Sequence, residues 1–174
     1  MPLCRTLDEN HRIYVDRVFP AVHTPIHRSF RYRAVLGVGG NVEDTRRRLH
    51  HLWFYLRRQR LLQPVRSGIL LKNPPFGYVE QDDFINTTIE IATSLEPRML
   101  LRLLWRIEKH FGRKRSFPNA PRTLDLDMIF FENRVLTYPE LIVPHPHWRM
   151  RLSVRIPLRS MRRTFRREYE NFDI

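Results

Sequence analysis

The chain has a single cysteine, Cys4, among 174 residues, so it can close no internal disulfide and offers no second thiolate for a zinc site. That scarcity fits a reducing compartment, the cytoplasm. No apolar run approaches the roughly 20 residues that cross a bilayer, and the opening stretch, MPLCRTLDENHRIYVDR, lacks the apolar segment of a signal peptide. A soluble, uncleaved protein with no membrane partner is the expectation. Acidic residues are also few, 18 Asp and Glu against 31 Lys and Arg, for a formal net charge of +13. The excess calls for an anionic partner, whether nucleotide, nucleic acid or membrane phosphate, and charge alone does not choose among these. Only six glycines are present, and none builds a GxxxxGK[ST] loop. P-loop chemistry is thereby excluded, and GVGGN at 37–41 is too weak a signal for a dinucleotide site.

What is present is enough for one core. With 42% apolar side chains the length supports one domain and is short for two. Residues 1–31, interrupted by Pro2, Pro20 and Pro25, show no sustained period and read as an extension before a domain at 32–158. Residues 159–174 form a basic tail. The arginines at 46–48, 57, 58 and 60, and those of the tail, have the spacing of solvated faces, with stems over apolar surface and heads in water.

From Tyr32 the periodicity sharpens. YRAVLG is a short β-prone run closed by Gly37, Gly39 and Gly40. Leu49, Leu52, Trp53 and Leu56 make one helical stripe, with Pro64 as the stop. Two β-prone stretches follow, at 65–71 and 84–92, separated by the loop KNPPFGYVEQDD. A second helix is expected to start between Ser94 and Pro97, to carry Leu100, Leu104, Ile107 and Phe111, and to end at Gly112. RTLDLDMIFF is the last clear strand. The order βαββαβ predicts an α+β fold, a two-layer sandwich of an antiparallel sheet with two helices on one face.

The chemistry concentrates in PRTLDLD. Side chains alternate along a strand, so Asp125 and Asp127 share one face while Leu124, Leu126 and Met128 share the other. Adjacent carboxylates repel unless a cation or donors lie between them. Mg²⁺ suits such a pair, because it takes one or two carboxylates and completes its shell with water and phosphate oxygens. An exposed strand with its acids outward would give the same pattern. Arg113, Lys114, Arg115 and Arg122 lie close by in sequence, and cations beside paired acids either form plain salt bridges or complete a phosphate site.

Six motifs in order carry a resemblance: GGN at 39–41, NPPFG at 73–77, QDDFIN at 81–86, IE with GRKR at 107–115, PRTLDLD at 121–127 and VPHPHWRMR at 143–151. Together they resemble the 6-hydroxymethyl-7,8-dihydropterin pyrophosphokinase family of folate biosynthesis, from about residue 35 to 158. The resemblance implies a ferredoxin-like sandwich and transfer of the β,γ-pyrophosphate of ATP to the pterin hydroxyl, with AMP leaving. It implies two Mg²⁺ ions on Asp125 and Asp127, catalytic roles for Arg113 and Arg122 beside those aspartates, and ATP contacts from Glu108, Arg113, Arg115, Arg122, His145 and Arg151. It implies a pterin pocket of Asn73, Pro74, Phe76, Phe84 and Asn86 together with Asp125 and Asp127. The partners expected are these two small molecules, with no nucleic acid and no membrane, and the chain is expected to act as a monomer.

Plainer roles fit several of these residues. Phe84 has the pattern of a core residue, Glu108 of an exposed helix partner, His145 of a turn between prolines, Asn73 of a turn former, and Asn86 of a surface position on an edge strand. The chain also departs from the family pattern. Ser153 stands where a second pterin-stacking aromatic is usual, leaving Phe76 or Trp148 as substitutes, and Asn119 with Ala120 stands where Trp with Gly is frequent. A different class, the single-strand RNA-binding module, shares the element order and the basic charge. It lacks support here because no RNP1 run is present and paired aspartates would repel a phosphate backbone.

Overall fold

A computed structural model describes residues 3–25, 30–114, 117 and 119–161. Among the described residues, nine strands and three helices follow in the order β1 (Leu3–Thr6), β2 (Arg12–Val15), β3 (Tyr32–Gly40), α1 (Thr45–Arg57), β4 (Leu62–Ser67), β5 (Leu70–Asn73), β6 (Phe84–Thr93), α2 (Pro97–His110), β7 (Asp125–Phe131), β8 (Leu136–Tyr138), β9 (Leu141–Val143) and α3 (Leu152–Ser160). The main sheet runs β1-β2-β5-β6-β3-β7, with β4 also on β6, and every pair is antiparallel. Taking β3, β4/β5, β6 and β7 as the four strands of the βαββαβ unit, β3 and β6 are central and β7 is an edge, the ferredoxin-like α+β arrangement.

Helices α1 and α2 cover one face of the sheet. The stripe Leu49, Leu52, Trp53 and Leu56 and the stripe Leu100, Leu104 and Ile107 are fully or almost fully buried against Leu36, Val38, Ile89, Ile91, Leu126 and Met128. α1 starts where Asp44 Oδ1 accepts the Arg47 amide at 3.0 Å. α2 has Pro97 in its first turn and Glu96 at its N-cap with no side-chain cap bond, so Ser94 does not cap it. The opposite face is covered by α3, through Val154 and Leu158 on Val35 and Ile129. α3 was not anticipated from the sequence, because Pro157 inside it breaks the periodic reading.

Two other expectations are corrected. α1 ends at Arg57, seven residues before Pro64, and Pro64 lies inside β4. The ladder between β4 and β6 shifts register between Pro64 and Arg66, and such an irregularity accommodates a residue with no amide proton. The single strand expected at 65–71 is two, β4 and β5, parted at Gly68. A Cβ on Gly68 would run into the Pro157 carbonyl oxygen, so glycine lets α3 approach this corner. Among the described residues no helix is long and apolar enough to cross a membrane.

Candidate active site

β7 lies on the edge of the sheet beside β3, and its register sets Asp127 opposite Gly37 and Asp125 opposite Gly39. Leu126 and Met128 are buried under the helices, so both aspartates point to the other face, as the alternation predicts. On the far side of β3, Gly39 also faces Asn86 of β6. A Cβ on Gly39 would overlap the Asn86 side-chain oxygen, so the absence of a side chain there allows Asn86 to lie across the strand. Asn86 Nδ2 then donates to Asn73 Oδ1 at 2.7 Å, and Asn73 Nδ2 donates to the Pro74 carbonyl at 2.7 Å.

These groups border one cleft with Phe76, Phe84, Asn119, Arg122, Arg151 and Ser153. Phe84 is buried, with the Arg122 guanidinium 5.1 Å from its ring centre, while the exposed Phe76 carries Arg151 at 5.3 Å. Phe84 thus serves as a buried residue and as a cleft wall. Of the two candidate substitutes for an aromatic at Ser153, Phe76 borders the cleft. Trp148 is packed edge-on against Phe130 in the core beneath α3.

Three arginines converge on the aspartates. Arg113 Nη1 lies 2.7 Å from Asp125 Oδ1, Arg122 Nε 3.4 Å from Asp125 Oδ2, and Arg151 Nη1 3.4 Å from Asp127 Oδ2. Arg113 reaches the site because of how α2 ends. Gly112 takes φ +81°, its amide donates to the Lys109 carbonyl and the Arg113 amide to the Glu108 carbonyl, both at 3.0 Å. This pair of bonds closes the helix with glycine at the left-handed position and turns the chain sharply toward β7.

Glu108, buried at the end of α2, accepts the Leu126 amide at 2.8 Å and pairs with Arg113. Burial pushes its carboxyl up, with the Leu126 amide and Arg113 working against that. Asp127, half-buried at the cleft floor, is pushed up to about 6, by desolvation first and by Asp125 second, with Arg151, Arg122 and Arg113 opposing. At Asp127, burial and the neighbouring carboxylate thus outweigh the three guanidinium groups. His145 goes the other way: burial, Arg151 and His147 push its ring down to about 4, so it is neutral at ordinary pH. Its amide donates to the Ile129 carbonyl at 3.0 Å, fixing it behind β7. Pro74 is exposed beside Asn73, and Arg115 lies outside the described residues.

One residue of this region had no role assigned from the sequence. Asn41, almost fully buried at the end of β3, accepts the Arg122 amide on Oδ1 at 2.9 Å. Its Nδ2 donates to Gln81 Oε1 at 2.9 Å and to the Asp82 carbonyl at 3.0 Å. Gln81 Nε2 reaches on to the Asn119 carbonyl at 3.0 Å. Asn41 therefore ties together the two loops that flank the cleft. The GGN motif marked the position, and the partners, 40 and 81 residues further along, were not legible from it.

The family model for 7,8-dihydro-6-hydroxymethylpterin-pyrophosphokinase matches residues 35–163. Proteins named 2-amino-4-hydroxy-6-hydroxymethyldihydropteridine pyrophosphokinase are similar to the chain. The one from Helicobacter pylori is 39% identical over 148 residues, 84% of this chain and 90% of the relative. That from Campylobacter jejuni is 39% identical over 143 residues, 82% and 90%, and that from Bacillus subtilis 35% over 125 residues, 72% and 75%. With cleft, arginine cluster and paired aspartates all inside the matched span, the chain belongs to the 7,8-dihydro-6-hydroxymethylpterin-pyrophosphokinase family.

Proposed function

We propose that the chain transfers the β,γ-pyrophosphate of ATP to the hydroxyl of 6-hydroxymethyl-7,8-dihydropterin, releasing AMP, as a Mg²⁺-dependent, cytoplasmic, monomeric enzyme of folate biosynthesis. The observation that carries the reading is the aspartate pair on β7, set among Arg113, Arg122 and Arg151 in a cleft also lined by Phe84 and Asn86. Aromatic and amide groups beside a phosphate-binding cluster suit a flat heteroaromatic acceptor next to a triphosphate.

The donor set fits Mg²⁺. Among the described residues no group of three or more His, Cys, Asp or Glu stands together, which disfavours a metal caged wholly by protein. Two adjacent carboxylates, one of them pushed up to about 6 by burial first and by its neighbour's charge second, suit ions that draw their other ligands from water and phosphate. Asp125 and Asp127 would hold two such ions, which supply charge neutralisation and alignment of the reacting oxygens.

The remaining work belongs to the chain's own side chains. Phe84 stacks on the pterin, Phe76 faces it from the other side, and Asn86, steadied by Asn73, reads its polar edge. In the transfer, the pterin hydroxyl gives up its proton to solvent water and its oxygen bonds to the β-phosphorus. The bond from that phosphorus to the oxygen shared with the α-phosphorus breaks, and AMP leaves with that oxygen. Arg113 and Arg122 neutralise charge moving toward AMP, with Arg113 held in place by Glu108. Arg115, His145 and Arg151 bind the nucleotide, His145 as a neutral ring. The test is product analysis: ATP, Mg²⁺ and the pterin should yield AMP, and ADP formation or pterin-independent turnover would refute the reading.

A further inference from the structure

The segment before Tyr32 has no period in the sequence, yet residues 3–25 are built into the sheet and core. β2 pairs with β5 as Arg12 with Lys72, Ile13 with Leu71 and Tyr14 with Leu70. On its other side β5 pairs with β6 as Leu71 with Asn86, Lys72 with Ile85 and Asn73 with Phe84. The short strand that ends in Asn73 is therefore held from both sides, and without β2 it would be a free edge. After β2 the chain crosses to α1. Asp16 Oδ1 accepts the Val18 and Phe19 amides at 2.9 and 3.0 Å, while Oδ2 meets Arg46 at 3.1 Å and His50 at 2.9 Å. Phe19 is fully buried, its ring 5.9 Å from His50 and 6.0 Å from Trp53. Ala21 then exchanges bonds with Ser67, amide to Oγ at 2.9 Å and Ser67 amide to the Ala21 carbonyl at 2.8 Å. The His23 amide donates to the Val65 carbonyl at 2.7 Å.

We propose that the N-terminal segment is a strut for the acceptor pocket, with Asp16 and Phe19 as its anchor on α1 and β2 as its arm on β5, fixing Asn73 and through it Asn86. The inference rests on the reading of Asn73 and Asn86 as pterin-binding residues. Asp16, Phe19 and Ile13 are positioning residues, since none of them borders the cleft. The Asp16–Arg46 and Asp16–His50 pairs tie the segment to α1, and a strand laced on one side only opens more readily than one laced on both.

The experiment uses the full-length protein with Asp16→Ala and Asp16→Asn. Asp16→Ala should raise KM for the pterin on the order of tenfold, below the hundredfold that a misplacement of about 1 Å can cost. KM for ATP should stay within about twofold of the wild-type value. Asp16→Asn keeps an oxygen for the Val18 and Phe19 amides and should fall between the two. Amide exchange at residues 70–73 should speed up in Asp16→Ala while that of α2 does not, a readout independent of turnover. Unchanged pterin KM with unchanged exchange at 70–73 overturns the strut, and so does an equal rise in both KM values. A wild-type protein that makes no AMP from ATP and the pterin fails the functional reading instead, and the strut proposal falls with it.

Discussion

Gly39→Ala separates the proposed acceptor pocket from the proposed phosphate site. The new methyl would occupy the position of the Asn86 side-chain oxygen, and between a backbone-fixed Cβ and a rotatable amide the amide must move. Turning Asn86 away breaks its 2.7 Å bond to Asn73 and removes the one or two hydrogen bonds that Asn86 makes to the pterin edge on the proposed reading. At about 0.5–1.5 kcal/mol net for each bond, the loss in pterin binding is about 0.5–3 kcal/mol. That corresponds to roughly a twofold to hundredfold weaker Kd at about 1.4 kcal/mol per tenfold. The aspartates and arginines are untouched, so ATP should bind within about twofold of the wild-type value. Calorimetric titration of each substrate measures both numbers. A double variant, Gly39→Ala with Asn86→Ala, should regain thermal stability by removing the overlap while still binding pterin weakly. Unchanged pterin affinity in Gly39→Ala would refute the argument, as would recovery of pterin binding in the double variant.

Asp16 makes a pH-dependent contribution to stability. Burial opposes its ionisation, but the Phe19 and Val18 amides, His50 and Arg46 together outweigh burial and hold its carboxyl at about 2, against 3.8 for a free side chain. The folded value lies below the unfolded one, so the stabilisation is complete above about pH 4 and is lost as pH falls toward 2. Nearly two units at 1.36 kcal/mol each give about 2 kcal/mol. Urea unfolding of wild type and Asp16→Asn should therefore differ by about that much at pH 6 and converge near pH 2; a gap that does not depend on pH would contradict this. Asn41→Ala deletes three hydrogen bonds joining two loops and should cost about 1.5–4.5 kcal/mol in unfolding free energy. It should also raise KM for both substrates, because Arg122 and the 81–82 turn lose their common anchor; normal kinetics would count against that role.

How much the sequence disclosed depended on how local each signal was. The stripe of Leu49, Leu52, Trp53 and Leu56 and the alternation around Asp125 are written in neighbouring residues, and both faces came out as read. The stop of α2 at Gly112 was equally local, and it also explains how Arg113 comes to the site. Pro64 misled because it was read as a helix stop, when the ladder it sits in has an irregularity that tolerates it. β1 is exposed at all four residues, so no alternation could show it, and β2 is only four residues long. Asn41 and the partnership of Asp16 with Arg46 and His50 join residues some 30 to 80 positions apart, which no single-sequence period encodes. Only the tertiary fold brings them together.

The central claim is that the carboxylates of β7 act with Mg²⁺ on the triphosphate, and Asp127→Asn tests it most directly. The substitution keeps the size and a side-chain oxygen at a half-buried position, so the variant should fold with an unchanged circular dichroism spectrum. Pterin-dependent AMP formation, followed across a Mg²⁺ titration, should fall by roughly a hundredfold or more, the scale of losing a principal electrostatic group from a transition state. Near-normal AMP formation by the folded variant, with the same Mg²⁺ dependence as wild type, would contradict the account.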